Sequence, residues 1–463
     1  MSAAISPNPV VPVLAGPVPH AKPLPYFQYL RTVRRNFIEA LDESMYHAAI
    51  IRQGSAINRS FIVNDPAGVR RILLENPTNY PKARVEHRFL GPAMGNGLIL
   101  SEGETWRAHR RIMAPAFDHR TIERYAPVMV DAARKLANRW CALPAGASVE
   151  MEDAMMELTL EIISRSMFAA DSDGIKEIIR EGSADYQEAM MPGLMEFVPG
   201  LGPVWSAWKG MRGRAIMRDF NRAMFALIET RMKNRADSAD PDLLDRLIAS
   251  RDEESGAGMT ASEIRDQVLT IFVAGHETTA LALMWTWYLL AMHPEHEARM
   301  YEEFDRVLGG REPVWADLAA LSYTRMIVQE SMRLYPAVYS LAFREAQQDD
   351  VLCGMRVPKG SLVTIIPWLI HRHRGYWQDA DRFDPERFSP EASAGRDRLA
   401  YLPFGFGPRI CLGAAFAMAE AVLVLATLAQ RFRPRLVPGC RVEPQALFTL
   451  RAKYGMQMTI ATR

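Results

Sequence analysis

Phe404-Gly405-Phe406-Gly407-Pro408-Arg409-Ile410-Cys411-Leu412-Gly413 runs directly into Ala414-Ala415-Phe416-Ala417-Met418-Ala419-Glu420, a strongly helical stretch. Two glycines spaced i, i+2 and followed by proline make a tight turn whose backbone can lie close against a flat object. The cysteine falls where the helix begins. There the unpaired N–H groups and the positive end of the helix dipole favour thiolate over thiol. Gly413, two residues on, carries no side chain and leaves room for a plane to approach. A lone cysteine is more often a small buried core residue than a ligand, so the residues around it decide the matter.

A thiolate held out beneath a Gly-rich turn is what an axial ligand to haem iron requires. Phe404, Gly407, Arg409, Cys411 and Gly413 together resemble the haem-binding signature Phe-x-x-Gly-x-Arg-x-Cys-x-Gly of the cytochrome P-450 family, with every fixed position filled. The resemblance implies that Cys411 is the proximal iron ligand and that Phe404 shields its sulfur. It also implies that Gly407 and Gly413 shape the cofactor turn and that Arg409 pairs with a haem propionate.

Upstream, the capping box Thr260-Ala261-Ser262-Glu263 opens the longest helical pattern, which can run to Met292 before His293-Pro294 stops it. At 1.5 Å per residue it is roughly 48 Å long, enough to cross the whole protein. Its middle reads Ala274-Gly275-His276-Glu277-Thr278-Thr279. Glycine inside a helix costs roughly 0.5–1 kcal/mol against alanine. A threonine four residues after Ala274 can bond that residue's carbonyl and locally open the helix. A long core helix with a harmless glycine is the plainer alternative. The stretch nevertheless resembles the family's I-helix pattern, which implies that Glu277 and Thr278 are the acid–alcohol pair at the oxygen-binding groove. Glutamate stands here where many soluble bacterial members have aspartate.

Trp106 and Arg110 share one helix face. A basic helix face is usually only solvated, but Trp-x-x-x-Arg resembles the family's C helix, which implies propionate contacts for both residues. Arg107 and Arg111 fall on an outward face that could meet an acidic redox partner. Glu330 and Arg333 at i, i+3, with the later Phe383-Asp384-Pro385-Glu386-Arg387-Phe388, resemble the family's K-helix pair and the arginine that completes it. The role implied for Glu330, Arg333 and Arg387 is structural. Arg344 lies where a second propionate-binding arginine is expected, and Ser361–Ile366 reads as strand in a small β region.

For the rest, helical pattern runs over about 26–53, 119–143, 150–168 and 173–190, and a long helix ends near Asn234. Ser60–Val63 reads as strand, and Asp65-Pro66 caps a short helix. Gly91, Pro92, Gly95 and Gly97 mark about 81–100 as loop. The apolar, methionine-rich stretch 190–203 is either a loop packed on the core or the mobile lid that the resemblance implies over the substrate entrance. The post-cysteine helix extends to about Gln430. The tail from Ala446 reads as strand and turn, with Phe448 a candidate for reaching into the pocket.

Composition sets the bounds. Lys+Arg 55 against Asp+Glu 54 leaves the 463-residue chain near neutral, and nothing points to nucleic acid or an anionic membrane surface. Apolar residues at 49% exclude a disordered chain. Cys141, Cys353, Cys411 and Cys440 lack metal-type spacing, which fits reduced thiols in a cytoplasm. No uninterrupted apolar run reaches the ~18–20 residues that span a bilayer. Pro7, Pro9, Pro12, Pro17, Pro19, Pro23 and Pro25 make residues 1–25 an extended arm.

The expected fold is mainly α with a minor β portion: one domain over 26–463, with haem between the long central helix and the cysteine helix. The resemblance implies a monomeric haem b monooxygenase that activates O₂ and hydroxylates or epoxidises an apolar small molecule. The pocket is expected to be lined by Ile271, Ala274, Thr278, Val338, Leu341 and Phe448. Electrons are expected from a separate ferredoxin or flavodoxin with its reductase, so NAD(P)H acts only indirectly. The alternatives are a haem-thiolate isomerase or peroxide-driven enzyme, and a non-catalytic haem sensor. The Glu277-Thr278 pair disfavours both.

Overall fold

A computed structural model describes residues 13–54, 59–168, 202–233 and 241–463. The 173–190 helix and all but the end of the 190–203 stretch lie outside these residues, as does the arm before Val13.

The helix Ala261–Met292 is the axis of the molecule. Its capping box forms as expected: Thr260 Oγ1 accepts from the Glu263 N–H at 3.2 Å, and Glu263 Oε2 accepts from the Thr260 N–H at 2.8 Å. It is long and apolar enough to cross a membrane, yet most of that apolar window is buried against its neighbours. Helices Met151–Phe168, Ser322–Leu334 and Ala414–Ala429 pack against it. Trp285 is fully buried; it stacks on Tyr335 (4.2 Å, 7°) and donates through Nε1 to Leu450 O at 2.9 Å. A buried indole needs such an acceptor.

Strands occupy the periphery. β1 (Ile50–Gly54), β2 (Arg59–Val63), β7 (Leu362–Ile365) and β4 (Arg344–Glu345) form a mixed sheet in the order β1-β2-β7-β4, with β2 and β7 parallel. β3 (Ser148–Glu150), β11 (Gln457–Thr462) and β8 (Phe432–Leu436) make a second sheet. β5 (Asp350–Leu352) pairs with β6 (Met355–Val357), and β9 (Pro444–Ala446) with β10 (Leu450–Ala452).

Two expectations are overturned. The helix over 26–53 stops at Arg35, and Ile50–Gly54 is strand. Asn36 ends it: its buried side chain donates to Pro444 O (2.9 Å) and accepts from the Ala446 N–H (3.0 Å), a tertiary demand that overrides periodicity. The stretch read as loop contains the helix Arg84–Met94. Gly91 and Pro92 fall in its last turn, so the one i→i−4 bond that Pro92 cannot make lies at the helix end.

The loop after that helix is tied to the central one. Asp266 Oδ2 accepts from the Asn96 N–H (2.8 Å) and Gln267 Oε1 from the Leu98 N–H (2.9 Å). A Cβ on Gly97 would collide with Thr270 Oγ1 and lie 2.7 Å from the Asp266 carbonyl oxygen. Gly97→Ala is therefore expected to lift the loop and to cost about 1–3 kcal/mol, measured as a lower urea midpoint. An unchanged midpoint would show that the loop yields freely.

Candidate active site

Cys411 lies three residues ahead of the helix Ala414–Ala429, in the turn rather than in the helix itself. Its N–H donates to Phe404 O at 2.9 Å, which closes the loop between the two ends of the motif. Gly405 and Gly407 hold φ of 67° and 75°, values that favour glycine, and a Cβ on Gly407 would sit 2.8 Å from Leu73 O. A Cβ on Gly413 would meet nothing within 4 Å. Cys411 is exposed, while the protein packed around it still raises its thiol pKa. Burial outweighs the Gly413 N–H and the Arg110 charge, which act the other way. Cys411 thus sits ahead of the helix rather than in its first turn, and the packing around it opposes the thiolate that the helix start favours. A coordinated metal would supply the deprotonation instead.

Around this turn stand four cations. Arg110 Nη1 donates to Ile410 O at 2.7 Å, next to the cysteine. Arg409 donates to Ser101 O (3.0 Å) and Glu102 (2.5 Å), and its guanidinium lies 4.3 Å from the Trp106 ring centroid. Arg344 donates to Tyr80 O at 2.8 Å, and burial, then Arg409, push its pKa down to about 10. Lys82 was missed by sequence reasoning. It bridges to Arg344, and burial followed by the charges of Arg409 and Arg344 lowers its pKa to about 7, against the opposing Glu102. More positive charge is buried here than Glu102 and Glu86 balance. An open surface over Cys411 and Gly413, beside unbalanced cations, fits a planar dianionic cofactor such as haem.

In the middle of the central helix, Thr278 Oγ1 donates to Ala274 O at 2.6 Å, as expected, while the helix itself runs on unbroken. Ala274 is exposed and Thr278 half-buried in a helix otherwise largely buried, so this face borders open space. Ile271, expected in the pocket, is buried in the core. Val338 and Leu341 are half-buried, and Phe448 is exposed. The Leu450 N–H donates to Ala337 O (2.9 Å) and Thr449 Oγ1 to Glu277 (2.5 Å), so two hydrogen bonds bring the Val338 segment, the Phe448 turn and the acid–alcohol pair together. Glu420, on the cysteine helix, is buried with its pKa pushed far up, mainly by burial, and is hydrogen-bonded to Thr279. It reaches from the cysteine helix toward the central one.

Glu330 and Arg333 are both fully buried and paired through two bonds, Nε–Oε2 at 2.6 Å and Nη2–Oε1 at 2.7 Å. Arg387 Nε lies 3.4 Å from Glu330. Arg333 also donates to the carbonyls of His371, Ala380 and Arg382 at 2.7–3.0 Å. The predicted trio is assembled.

A buried long helix, a cysteine in a Gly-rich turn and an excess of cations around it define a haem-thiolate protein. The chain belongs to the cytochrome P-450 family, whose sequence profile matches residues 18–458. It is 36% identical to cyclooctatin synthase of Streptomyces melanosporofaciens, over 78% of each chain. It is 30% identical to pentalenene oxygenase of Streptomyces avermitilis, over 97% of this chain and 98% of that one. In structure it resembles the cytochrome P450DA heme domain, with a TM-score of 0.83 at 26% identity, covering 97% of this chain and 98% of that one. The protein is a haem-dependent monooxygenase of mainly α fold with a minor β portion.

Proposed function

We propose that residues 26–463 work as one haem b monooxygenase unit that oxygenates an apolar small molecule in the cytoplasm, fed by an external ferredoxin or flavodoxin with its reductase. The observation that carries this is Cys411, exposed in its Gly-rich turn and ringed by Lys82, Arg110, Arg344 and Arg409. Cys411 would hold the iron, and these cations with Trp106 would hold the propionates. Bound haem supplies the reduction and cleavage of O₂ and the transfer of one oxygen atom to substrate. The protein's share is to bind and orient the substrate, exclude water and move protons.

Thr278 would hold a proton at its hydroxyl on the open face of the central helix, and Glu277 would resupply it. Ala274, Val338, Leu341 and Phe448 offer apolar contacts to the substrate, and one relative is named for oxygenating pentalenene. All four cysteines stand free, which suits a reducing compartment. Because electrons are taken to come from the separate redox partner, NAD(P)H alone is expected to give no turnover.

The test is Thr278→Ala, assayed as product formed per NAD(P)H consumed with a reconstituted redox chain. Haem content and the substrate-induced spectral shift should stay as in wild type. Coupling should fall at least about tenfold, within what general acid catalysis contributes, with the electrons appearing as peroxide. Tight coupling in the variant would make Thr278 merely a helix-bending residue.

A further inference from the structure

Of the hydroxyls grouped near the open face of the central helix, one has no partner among the described residues. Thr278 Oγ1 donates to Ala274 O, and Thr449 Oγ1 to Glu277. In the segment after the helix Ser322–Leu334, Ser340 Oγ turns to Leu341 O (3.4 Å), and Thr364 Oγ1, from β7, to the same carbonyl (3.0 Å). Tyr339 Oη bonds to none of the described residues, and burial alone raises its pKa, to about 12. It stays a neutral O–H donor at any working pH.

Three segments fix where that hydroxyl stands. The Leu450 N–H donates to Ala337 O (2.9 Å), two residues before Tyr339, whose own carbonyl accepts from the Trp368 N–H (3.2 Å). The Tyr339 ring lies 6.2 Å from that of Phe37, and Asn36 beside it holds β9 through Pro444 O and the Ala446 N–H. The hairpin that begins with β9 carries Phe448 and Thr449 at its tip, and Thr449 reaches the acid–alcohol pair. Tyr339 therefore shares one wall with Val338, Leu341 and Phe448. It is half-buried, and protein does not seal its oxygen off. A hydroxyl held this far inside without a partner is costly to keep. Its neighbours Phe37, Val338 and Leu341 carry no charge, so it suits an uncharged ligand oxygen, a hydroxyl or a carbonyl, over a carboxylate or a phosphate.

We propose that the Tyr339 hydroxyl is a specificity-determining group that hydrogen-bonds an oxygen the substrate already carries, so that the substrate class is an apolar skeleton bearing a hydroxyl or carbonyl group. The assignment rests on the monooxygenase reading given above and narrows it. It also gives the reaction a place in a sequence: the reaction that supplies this substrate leaves a hydroxyl or carbonyl on the skeleton, and the oxygen inserted here is a further one. The hydroxyl neither gains nor loses a proton in the reaction. Its bond is made in the bound substrate and persists through the reaction, so it acts on affinity and on which carbon is presented.

Calorimetry on the holoprotein measures the binding of matched pairs: decalin and 2-decalol, cyclododecane and cyclododecanol, androstane and androstan-3-ol. Tyr339→Phe removes one oxygen and keeps the ring against Phe37. For at least one pair, the Kd of the alcohol should rise about tenfold in the variant while that of the hydrocarbon moves less than about twofold. With no probe present, the urea midpoint of Tyr339→Phe should equal or exceed that of wild type, because no protein bond is lost. A lowered midpoint means that the hydroxyl already has a partner in the protein and overturns the inference. Alcohols that bind the variant as tightly as wild type overturn it too, as do hydrocarbons that weaken as much as the alcohols, since Tyr339 then only shapes the wall. In each of these cases the monooxygenase reading stands. If no member of any pair binds the holoprotein, the apolar-substrate reading itself is wrong and the inference falls with it.

Discussion

Arg333→Ala is expected to cost about 3–5 kcal/mol, much of the stability a folded domain has to spare. The reason is what the arginine leaves behind. Glu330 is fully buried, and besides Arg333 it has the Asp384 N–H (3.0 Å) and the guanidinium of Arg387 nearby. Without Arg333 its charge loses both short bonds, and the carbonyls of His371, Ala380 and Arg382 lose a shared donor. The guanidinium also lies over the Trp377 ring at 4.9 Å, so packing is lost as well. Arg333→Lys should recover only part of the loss, because an ammonium cannot reproduce a fork that serves both carboxylate oxygens and three carbonyls. Urea unfolding measures both variants. A midpoint for Arg333→Ala within about 0.5 kcal/mol of wild type, the range of an ordinary surface change, would mean that the cluster relaxes and contributes little.

Cys411→Ser should remove the thiolate-type absorption of the reduced carbon monoxide complex and lower product formation by about 10³-fold or more, roughly 4 kcal/mol of barrier. Serine preserves the size of the side chain and the N–H donated to Phe404 O, so the turn should stay folded. What disappears is the sulfur. If the absorption survives in Cys411→Ser and vanishes in Cys353→Ser or Cys440→Ser, the ligand has been misassigned.

The parts of this site that could be read from sequence are those set by neighbours along the chain. Gly405 and Gly407 before Cys411, Thr278 four residues after Ala274, and Arg333 three after Glu330 each carry their geometry in their spacing. The parts that could not be read depend on distant segments. Lys82 looks like an ordinary charged residue until β4 brings Arg344 beside it. Nothing near Glu277 in sequence announces Arg451, 174 positions away, or that its carboxylate turns toward the hairpin. The helix Arg84–Met94 was hidden for another reason. Gly91 is at home near a helix C-terminus and Pro92 forfeits only the i→i−4 bond to the preceding turn there, and periodicity alone does not say which turn is last.

The parallel pairing of β2 with β7 also governs how the chain comes to be built. Ser60 aligns with Leu362, some 300 residues further along. During synthesis β2 therefore waits through most of translation with one hydrogen-bonding edge open, covered on the other side only by β1. Closing so long a loop is slow and must precede the contacts that reward it. Val363 and Ile365 are the last pieces of the β1–β2 sheet to leave the ribosome, just before the cysteine turn. A nascent chain stalled ahead of them would expose Phe61, Ile62 and Val63, all buried in the finished protein, to any other strand edge in reach.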